Sequence, residues 1–286
     1  MSLAVFDWGG SSVKYAFYKD EELTDKGSFQ TPDSLDVLVD EMEKVISKKT
    51  GIEGIAISAP GSVNQPKRVI EGISAIPYIH FTPIYDLLEE CFGVPVAIEN
   101  DANCAGLCEV GMGAAKDAKN VAFFILGTGM GGSVFINREL HSGSHQYGGE
   151  FGMTLNSNGK TGSENGTLVA VSKRYNEKMG MNIDGIELLR RHDAGESEAT
   201  EAINGMFDYI AEVIYNVQVI VDPDIVVLGG GISNRETLPK ELSSRLDILL
   251  AKLDIMGAKP KIVNAKYQND ANLLGAVVNY QKNNAK

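Results

Sequence analysis

The sequence predicts an α/β protein of two like lobes, each a mixed sheet flanked by helices, and three observations carry that prediction. Near the N-terminus an apolar run, residues 3–6, enters Asp7-Trp8-Gly9-Gly10 and is followed by a second strand-like run, residues 13–18. The same order returns at residues 123–126, 127–132 and 133–136, which marks an internal repeat. Around these hairpins helical spacing alternates with short buried-strand patterns, and 286 residues suit one or two domains.

Each element follows in order. A third strand over residues 26–30 completes a meander after the first glycine turn. Thr31 and Pro32 read as an N-cap and a first helical position, and Leu35, Leu38, Val39, Met42, Val45 and Ile46 recur at helical spacing. Residues 54–58 read as a buried strand stopped by Pro60-Gly61, and residues 94–98 as another stopped by Glu99-Asn100-Asp101. Residues 111–119, rich in Gly, Ala and Lys, suit a hinge. The expected division is therefore residues 1–118, with a C-terminal helix over 269–286 packing back on them, and residues 119–268. In the second lobe, residues 152–166 read as an exposed glycine-rich loop. Ile203, Met206, Phe207, Ile210, Ile214 and Val217 mark a long helix broken by Asp222-Pro223-Asp224. A strand over 225–228 then enters Gly229-Gly230-Gly231, and a last helix begins at Ala271.

Composition narrows the function. Apolar residues make up 43 % and charged residues 22 %, ordinary globular usage. A formal net charge of −12 without a basic patch argues against nucleic acid and anionic membranes as partners. Cys91, Cys104 and Cys108 are odd in number and two lie four apart in a predicted helix, so no disulfide framework is expected. With no basic leader and no run of ~20 apolar residues, a cytoplasmic location is expected.

The chemistry gathers at the glycine turns. Glycine lets backbone N–H groups approach phosphate oxygens because no Cβ intervenes. Taken singly, each turn is more often a plain hairpin than a phosphate site, and none is a Walker loop. Three such turns in one chain point to a phosphate chain. Asp7 at the first could hold hydrated Mg²⁺, and the hydroxyls of Ser11 and Ser12 could meet phosphate oxygens. Asp101, between a buried strand and a helical run, reads equally as a helix N-cap and as a carboxylate that accepts a hydroxyl proton during phosphoryl transfer.

These residues together carry a resemblance to the ROK family of sugar kinases and regulators. Asp7-Trp8-Gly9-Gly10-Ser11-Ser12-Val13-Lys14 is similar to the family's first phosphate motif, usually Asp-Ile-Gly-Gly-Thr-Lys, and residues 126–133 to its second. Ser58-Ala59-Pro60-Gly61-Ser62-Val63 and Glu99-Asn100-Asp101-Ala102-Asn103 resemble its sugar-side motifs. The resemblance implies two actin/hexokinase-like (ribonuclease H-like) lobes with an interlobe cleft, and an ATP-dependent sugar kinase. It makes Asp101 the catalytic base, and Gly61, Asn100, Asp101, His145 and Glu150 the sugar contacts. Asp7, Gly9, Gly10, Ser11, Ser12, Lys14, Gly127, Thr128, Gly129, Gly131 and Gly132 would meet the ATP phosphates, and Gly229, Gly230 and Gly231 the rest of the nucleotide. Mg²⁺ is expected at Asp7 through water.

The departures carry information too. The family's Gly-Glu-Ile-Gly-His stretch with following zinc-binding cysteines becomes Gly149-Glu150-Phe151-Gly152-Met153, and no cysteine follows, so no structural zinc is expected. A later sugar-binding Glu is replaced by Val169, which leaves fewer polar groups at the sugar's C1 and C2 end. The pattern is most similar to glucokinase-like and β-glucoside-kinase-like members, with glucose the first expectation, a β-glucoside the alternative and a 2-acetamido sugar below both. A small-molecule sugar and a possible homodimer are the expected partners. The competing classes are a sugar-sensing regulator lacking a DNA-binding domain and an actin-like or chaperone ATPase.

Overall fold

A computed structural model describes residues 1–156, 159–252 and 256–284. The chain divides into two compact units, residues 1–111 together with the segment from Asn269, and residues 112–268.

In the first unit, β1 (Leu3–Trp8), β2 (Ser12–Lys19) and β3 (Glu22–Gln30) form the antiparallel meander. They are followed by α1 (Leu35–Ile46), β4 (Gly54–Ala59), the ribbon β5 (Ser62–Asn64) and β6 (Val69–Glu71), α2 (Ile84–Phe92), β7 (Val96–Asn100) and α3 (Asp101–Gly111). The sheet order is β3-β2-β1-β4-β7, with β1, β4 and β7 parallel. Every residue of β1 is buried because both faces of the sheet are covered. Ala4, Phe6 and Trp8 pack with Leu38, Met42 and Leu88 on one face, while Leu3 and Val5 face a second cluster. Burying a side chain such as Phe6 contributes about 1.5–3 kcal/mol.

The second unit holds β8 (Val121–Leu126), β9 (Met130–Ile136) and β10 (Glu139–Leu140), then α4 (Gly162–Asn165), α5 (Leu168–Met179), α6 (Gly185–Asp193) and α7 (Ser197–Val221). After these come β11 (Ile225–Gly229), α8 (Leu238–Ala251) and β12 (Lys261–Asn264). Its sheet order, β10-β9-β8-β11-β12, repeats the first: an antiparallel meander, then parallel strands. Ile203, Phe207, Ile210 and Ile214 of α7 bury one helical stripe against Phe124, Val226 and Leu228. Asp222 in the left-handed conformation (φ 50°) ends α7.

The chain finishes in α9 (Ala271–Asn284), whose Leu273, Ala276, Val277 and Tyr280 close the second face of the first sheet on Leu3 and Val5. A Cβ on Gly275 would lie 1.7 Å from the Cys104 carbonyl oxygen, so only glycine lets α9 approach α3 this closely. The expected helix to residue 286 includes 285–286, which lie outside the described residues.

Four local expectations are corrected. The N-cap of α1 is Ser34, whose hydroxyl accepts from the Val37 N–H, and Thr31 instead donates its hydroxyl to the Gly9 carbonyl at 2.5 Å. Proline at residue 32 gave a plausible local start, but the long-range tie to Gly9 claims Thr31. Within residues 152–166 the chain is not plain loop. Phe151–Met153 is a 3₁₀ turn, and α4 carries a reciprocal Thr161–Glu164 capping box, with residues 157–158 outside the described set. Gly131 and Gly132 belong to strand β9 rather than to a turn. Asp101 is the first residue of α3, and Asn100 occupies the cap position.

Candidate functional site

Asp7 is the penultimate residue of β1 and is 9 % exposed. Its Oδ1 accepts from Ser58 Oγ at 2.9 Å, on the neighbouring strand β4, and from Asn272 Nδ2 at 3.0 Å, in the first turn of α9. Two neutral donors thus fix one oxygen of a nearly buried carboxylate, which would otherwise pay a large desolvation cost. Gly9 and Gly10 make the turn that follows: the Gly9 N–H donates to the Ser12 carbonyl at 3.1 Å, and the Thr31 hydroxyl braces the Gly9 carbonyl. Ser11 is exposed, Ser12 half-buried, and Lys14 lies opposite Asp7 in the β1–β2 register with its side chain exposed. The turn is narrow: a Cβ on Gly10 would lie 2.6 Å from the Ala75 Cβ.

At the C-terminal end of β7, three successive residues have distinct partners. The Glu99 carboxylate is buried and accepts from the Asn103 side chain (2.9 Å), the Asn100 N–H (2.8 Å) and the Gln65 side chain (2.8 Å). Burial nevertheless pushes its carboxyl above the usual range, outweighing those bonds. Asn100 Oδ1 accepts from the Ala102 and Asn103 N–H groups, at 2.9 and 3.2 Å, capping α3. Its Nδ2 donates to the Gly61 carbonyl at 3.0 Å. Asp101, half-buried, accepts from the Ala102 N–H through Oδ1 at 2.8 Å and sits in the first turn of α3, where the helix dipole favours its charge. Gly61 has a φ of 102°, and a Cβ there would lie 2.7 Å from His80 Cε1. Asn100, Asp101 and Gly61 are therefore one connected group in the first unit.

In the second unit, Gly127, Thr128 and Gly129 form the turn between β8 and β9, closed by the Gly127 N–H to the Gly129 carbonyl at 3.0 Å. The space around it is open: a Cβ on Gly127 would meet nothing nearer than 3.9 Å, and on Gly129 nothing nearer than Ser163 Oγ at 3.4 Å. Gly132 differs, since its Cβ would strike the Phe123 carbonyl oxygen at 2.4 Å and the Phe151 ring at 2.4 Å. Packing alone requires glycine there. Gly149 (φ 92°) is likewise laid against Gly132 and Ser133, which seats Glu150 beside strand β9. Glu150 retains an exposed surface, while the protein around it raises its carboxyl above the usual range by desolvation. His145 is exposed on the same 141–149 loop. Gly229 ends β11, Gly230 turns through φ 85° and Gly231 opens a 3₁₀ turn, with the Ser233 hydroxyl donating to the Gly230 carbonyl at 2.7 Å.

Ser58, Asn272, Glu99 and Ser163 are participants to which the sequence alone assigned no role. Ser58 and Glu99 carried a signal, each a polar residue closing an apolar strand run. Asn272 and Ser163 carried none, because their partners, Asp7 and the Met130 N–H, are remote in sequence.

For a divalent ion, the donor set fits a nucleotide-held cation better than a protein cage. Mg²⁺ takes one or two carboxylates plus phosphate oxygens. Asp7 is such a carboxylate, and no group of three or more His, Cys, Asp or Glu side chains among the described residues could hold a metal. Among those residues, too, no helix is long and apolar enough to cross a membrane.

The ROK family profile matches residues 4–283. A β-glucoside kinase of Listeria monocytogenes is 32 % identical over 98 % of this chain and 97 % of its own length. An N-acetyl-D-glucosamine kinase of Vibrio parahaemolyticus is 30 % identical over 95 % of this chain and 97 % of its own. Among solved structures, a ROK family protein from Streptococcus pneumoniae TIGR4 in complex with sucrose is 34 % identical, covers 100 % of this chain and 99 % of its own, and has a TM-score of 0.92.

Proposed function

Because the chain belongs to the ROK family, we propose that it is an ATP-dependent sugar kinase that transfers the γ-phosphoryl group to a sugar hydroxyl, the 6-hydroxyl of glucose or a related hexose. The observation that carries this reading is Asp101 at the start of α3, directly after β7 and beside an Asn100 locked to Gly61, in a chain similar over nearly its whole length to two kinds of sugar kinase.

Asp101 accepts the proton of the attacking hydroxyl, which makes the oxygen nucleophilic as the phosphoryl group departs. Its carboxylate sits in the first turn of α3 and accepts from the Ala102 N–H, which orients it. Asn100, Gly61 and Glu150 hold sugar hydroxyls, and His145 is the further candidate contact. The backbone N–H groups of Gly10 to Ser12 and of Thr128 and Gly129 receive phosphate oxygens, while Gly9 and Gly127 shape the two turns through their own N–H bonds; Lys14 adds charge, and Gly229 to Gly231 line the rest of the nucleotide. Gly131 also belongs to this set, whereas the crowding at Gly132 supports a packing role first. Mg²⁺ at Asp7, through water, supplies charge neutralisation when bound. Asp7 and its two donors keep a carboxylate oriented for it. The absence of any cysteine after Cys108 supports a protein without structural zinc. A cytoplasmic, homodimeric protein without nucleic-acid or membrane partners completes the proposal.

A second reading, phosphorylation of a β-glucoside rather than the free sugar, is favoured by the β-glucoside kinase relatives, 30–32 % identical, and by Val169 where the family places a polar sugar contact. A coupled ADP-release assay over glucose, mannose, fructose, N-acetyl sugars and β-glucosides decides between the two. ATP hydrolysis indifferent to every sugar would refute both.

A further inference from the structure

Glu99 is a carboxylate at a place where an apolar side chain would cost the fold less. Val96, Ala97 and Ile98 precede it on β7 and are buried, and Glu99 is buried with them at 5 % exposure. Taking a carboxylate out of water carries a desolvation cost that a leucine there would not. Its two oxygens divide their partners. Oε1 accepts from the Asn100 N–H and from the Asn103 side chain, which flank Asp101. Oε2 accepts from Gln65 Nε2 at 2.8 Å, and Gln65 belongs to the segment that carries Gly61.

The placement of Gln65 is itself fixed. Gly61 leads straight into β5, and Gln65 directly follows the last residue of that strand. The turn towards β6 is closed by the Arg68 N–H to the Gln65 carbonyl at 3.1 Å and by the Lys67 N–H to Asn64 Oδ1 at 3.2 Å. From that turn the half-buried Gln65 side chain reaches Glu99, with a longer contact to Asn279 Oδ1 of α9 at 3.5 Å. The same two segments are joined a second time, by Asn100 Nδ2 and the Gly61 carbonyl. A single hydrogen bond lets two segments pivot about it. Two bonds at separate points remove that freedom, and a buried network whose members are paired adds rigidity.

We propose that Gln65 and Glu99 are positioning residues for the sugar: their hydrogen bond fixes the Gly61 turn against the Asn100–Asp101 corner, so that the sugar contacts on one segment and the base on the other keep a set spacing. The inference rests on the sugar-kinase reading of Gly61, Asn100 and Asp101. Each of the pair acts through a neighbour rather than on the substrate, Gln65 through β5 and Glu99 through the Asn100 backbone and Asn103. A displacement of about 1 Å in such a frame is enough to cost up to ~10²-fold in rate or binding, so a side chain remote from the reacting atoms has a measurable effect.

The test compares wild type with Gln65→Leu, Gln65→Glu, Glu99→Gln and the exchange Gln65→Glu/Glu99→Gln. It measures Tm, KM for ATP, and KM and kcat for whichever of glucose, methyl β-D-glucoside and N-acetyl-D-glucosamine is phosphorylated best. Assays run at pH 8, which disfavours a proton shared between two carboxylates. Gln65→Leu should raise the sugar KM roughly tenfold, while kcat and KM for ATP stay within about twofold of wild type. Gln65→Glu should do at least as much, because it sets a second carboxylate against Glu99. The exchange should return the sugar KM to within about threefold of wild type. In it the amide at position 99 still accepts from Asn100 and Asn103 and now donates to the carboxylate at position 65. Glu99→Gln alone should stay near wild type, since Gln65 can rotate its amide. A pair with only a structural role would lower Tm and leave the sugar KM unchanged, and that result overturns the proposal. So does an exchange variant no better than Gln65→Glu, or a KM for ATP that rises in step with that for the sugar. Should Gln65→Leu not fold, Gln65→Glu and the exchange carry the comparison. If wild type phosphorylates no sugar, the kinase reading fails separately, and calorimetric binding of the same three sugars decides. Binding roughly tenfold weaker in Gln65→Glu and restored by the exchange supports the pair, whereas equal affinity or no binding to wild type overturns it.

Discussion

The Asn100 side-chain amide donates to the Gly61 carbonyl at 3.0 Å, while its oxygen caps α3 through the Ala102 and Asn103 N–H groups. One side chain therefore fixes the start of the helix that carries Asp101 and the turn that carries Gly61. Asn100→Ala should lower stability by about 1–2 kcal/mol through the lost cap. Denaturant unfolding checks this, and sugar KM should rise in the same variant.

Asp101→Asn keeps the shape and an acceptor for the Ala102 N–H but removes the base. Sugar binding by calorimetry should persist, while kcat in the ADP-release assay falls by about 10²–10⁴-fold. Turnover near that of wild type would remove Asp101 from its proposed role.

Gly129→Ala and Gly132→Ala separate phosphate approach from packing. At Gly129 there is room for a methyl group, so Tm should hold while KM for ATP rises. At Gly132 the methyl group would meet the Phe123 carbonyl oxygen and Phe151, and the expected loss is about 1–3 kcal/mol of stability. Thermal unfolding and ATP titration of the two variants should therefore give opposite patterns.

Asp7→Asn should retain acceptance from Ser58 and Asn272 through its amide oxygen, and so should fold. What it loses is charge. The Mg²⁺ concentration giving half-maximal rate should rise and kcat should drop, which a magnesium titration at fixed ATP measures.

Glu99 gives a pH dependence whose sign is defined. Burial raises its carboxyl above the ordinary value of 4.5, so the folded protein keeps this proton to higher pH than the unfolded chain does. Its stabilising contribution is complete below 4.5 and is lost as pH rises through the folded value. Glu99→Gln retains acceptors for Asn100 and Asn103, and Gln65 can rotate its amide to match. The difference in Tm between variant and wild type should move in the variant's favour as pH increases, in unfolding scans across that range.

The motifs that carry the candidate site were legible in the chain because glycines and polar residues interrupt apolar strands at the strand ends. Asp7, Asn100 and Asp101 stand out in that way without any coordinates. What misled local reasoning was competition for the same side chain. Thr31 looks like a helix cap until Gly9 claims its hydroxyl, and Asp101 looks like one until Asn100 takes the position. Gly132 looks like part of a turn until Phe151 is packed on it.

By itself the sequence determined the α/β class, the repeated strand–glycine–strand order, the buried strands and the helical stripes, because each is written in spacings of two to four residues. The tertiary structure alone decided that Ser58 and Asn272, 51 and 265 residues away, hold Asp7. It alone seated His80 on Gly61 and left Phe81 in the open. Such contacts depend on strand register and helix docking, which are settled by the packing of whole faces and leave no local pattern to read.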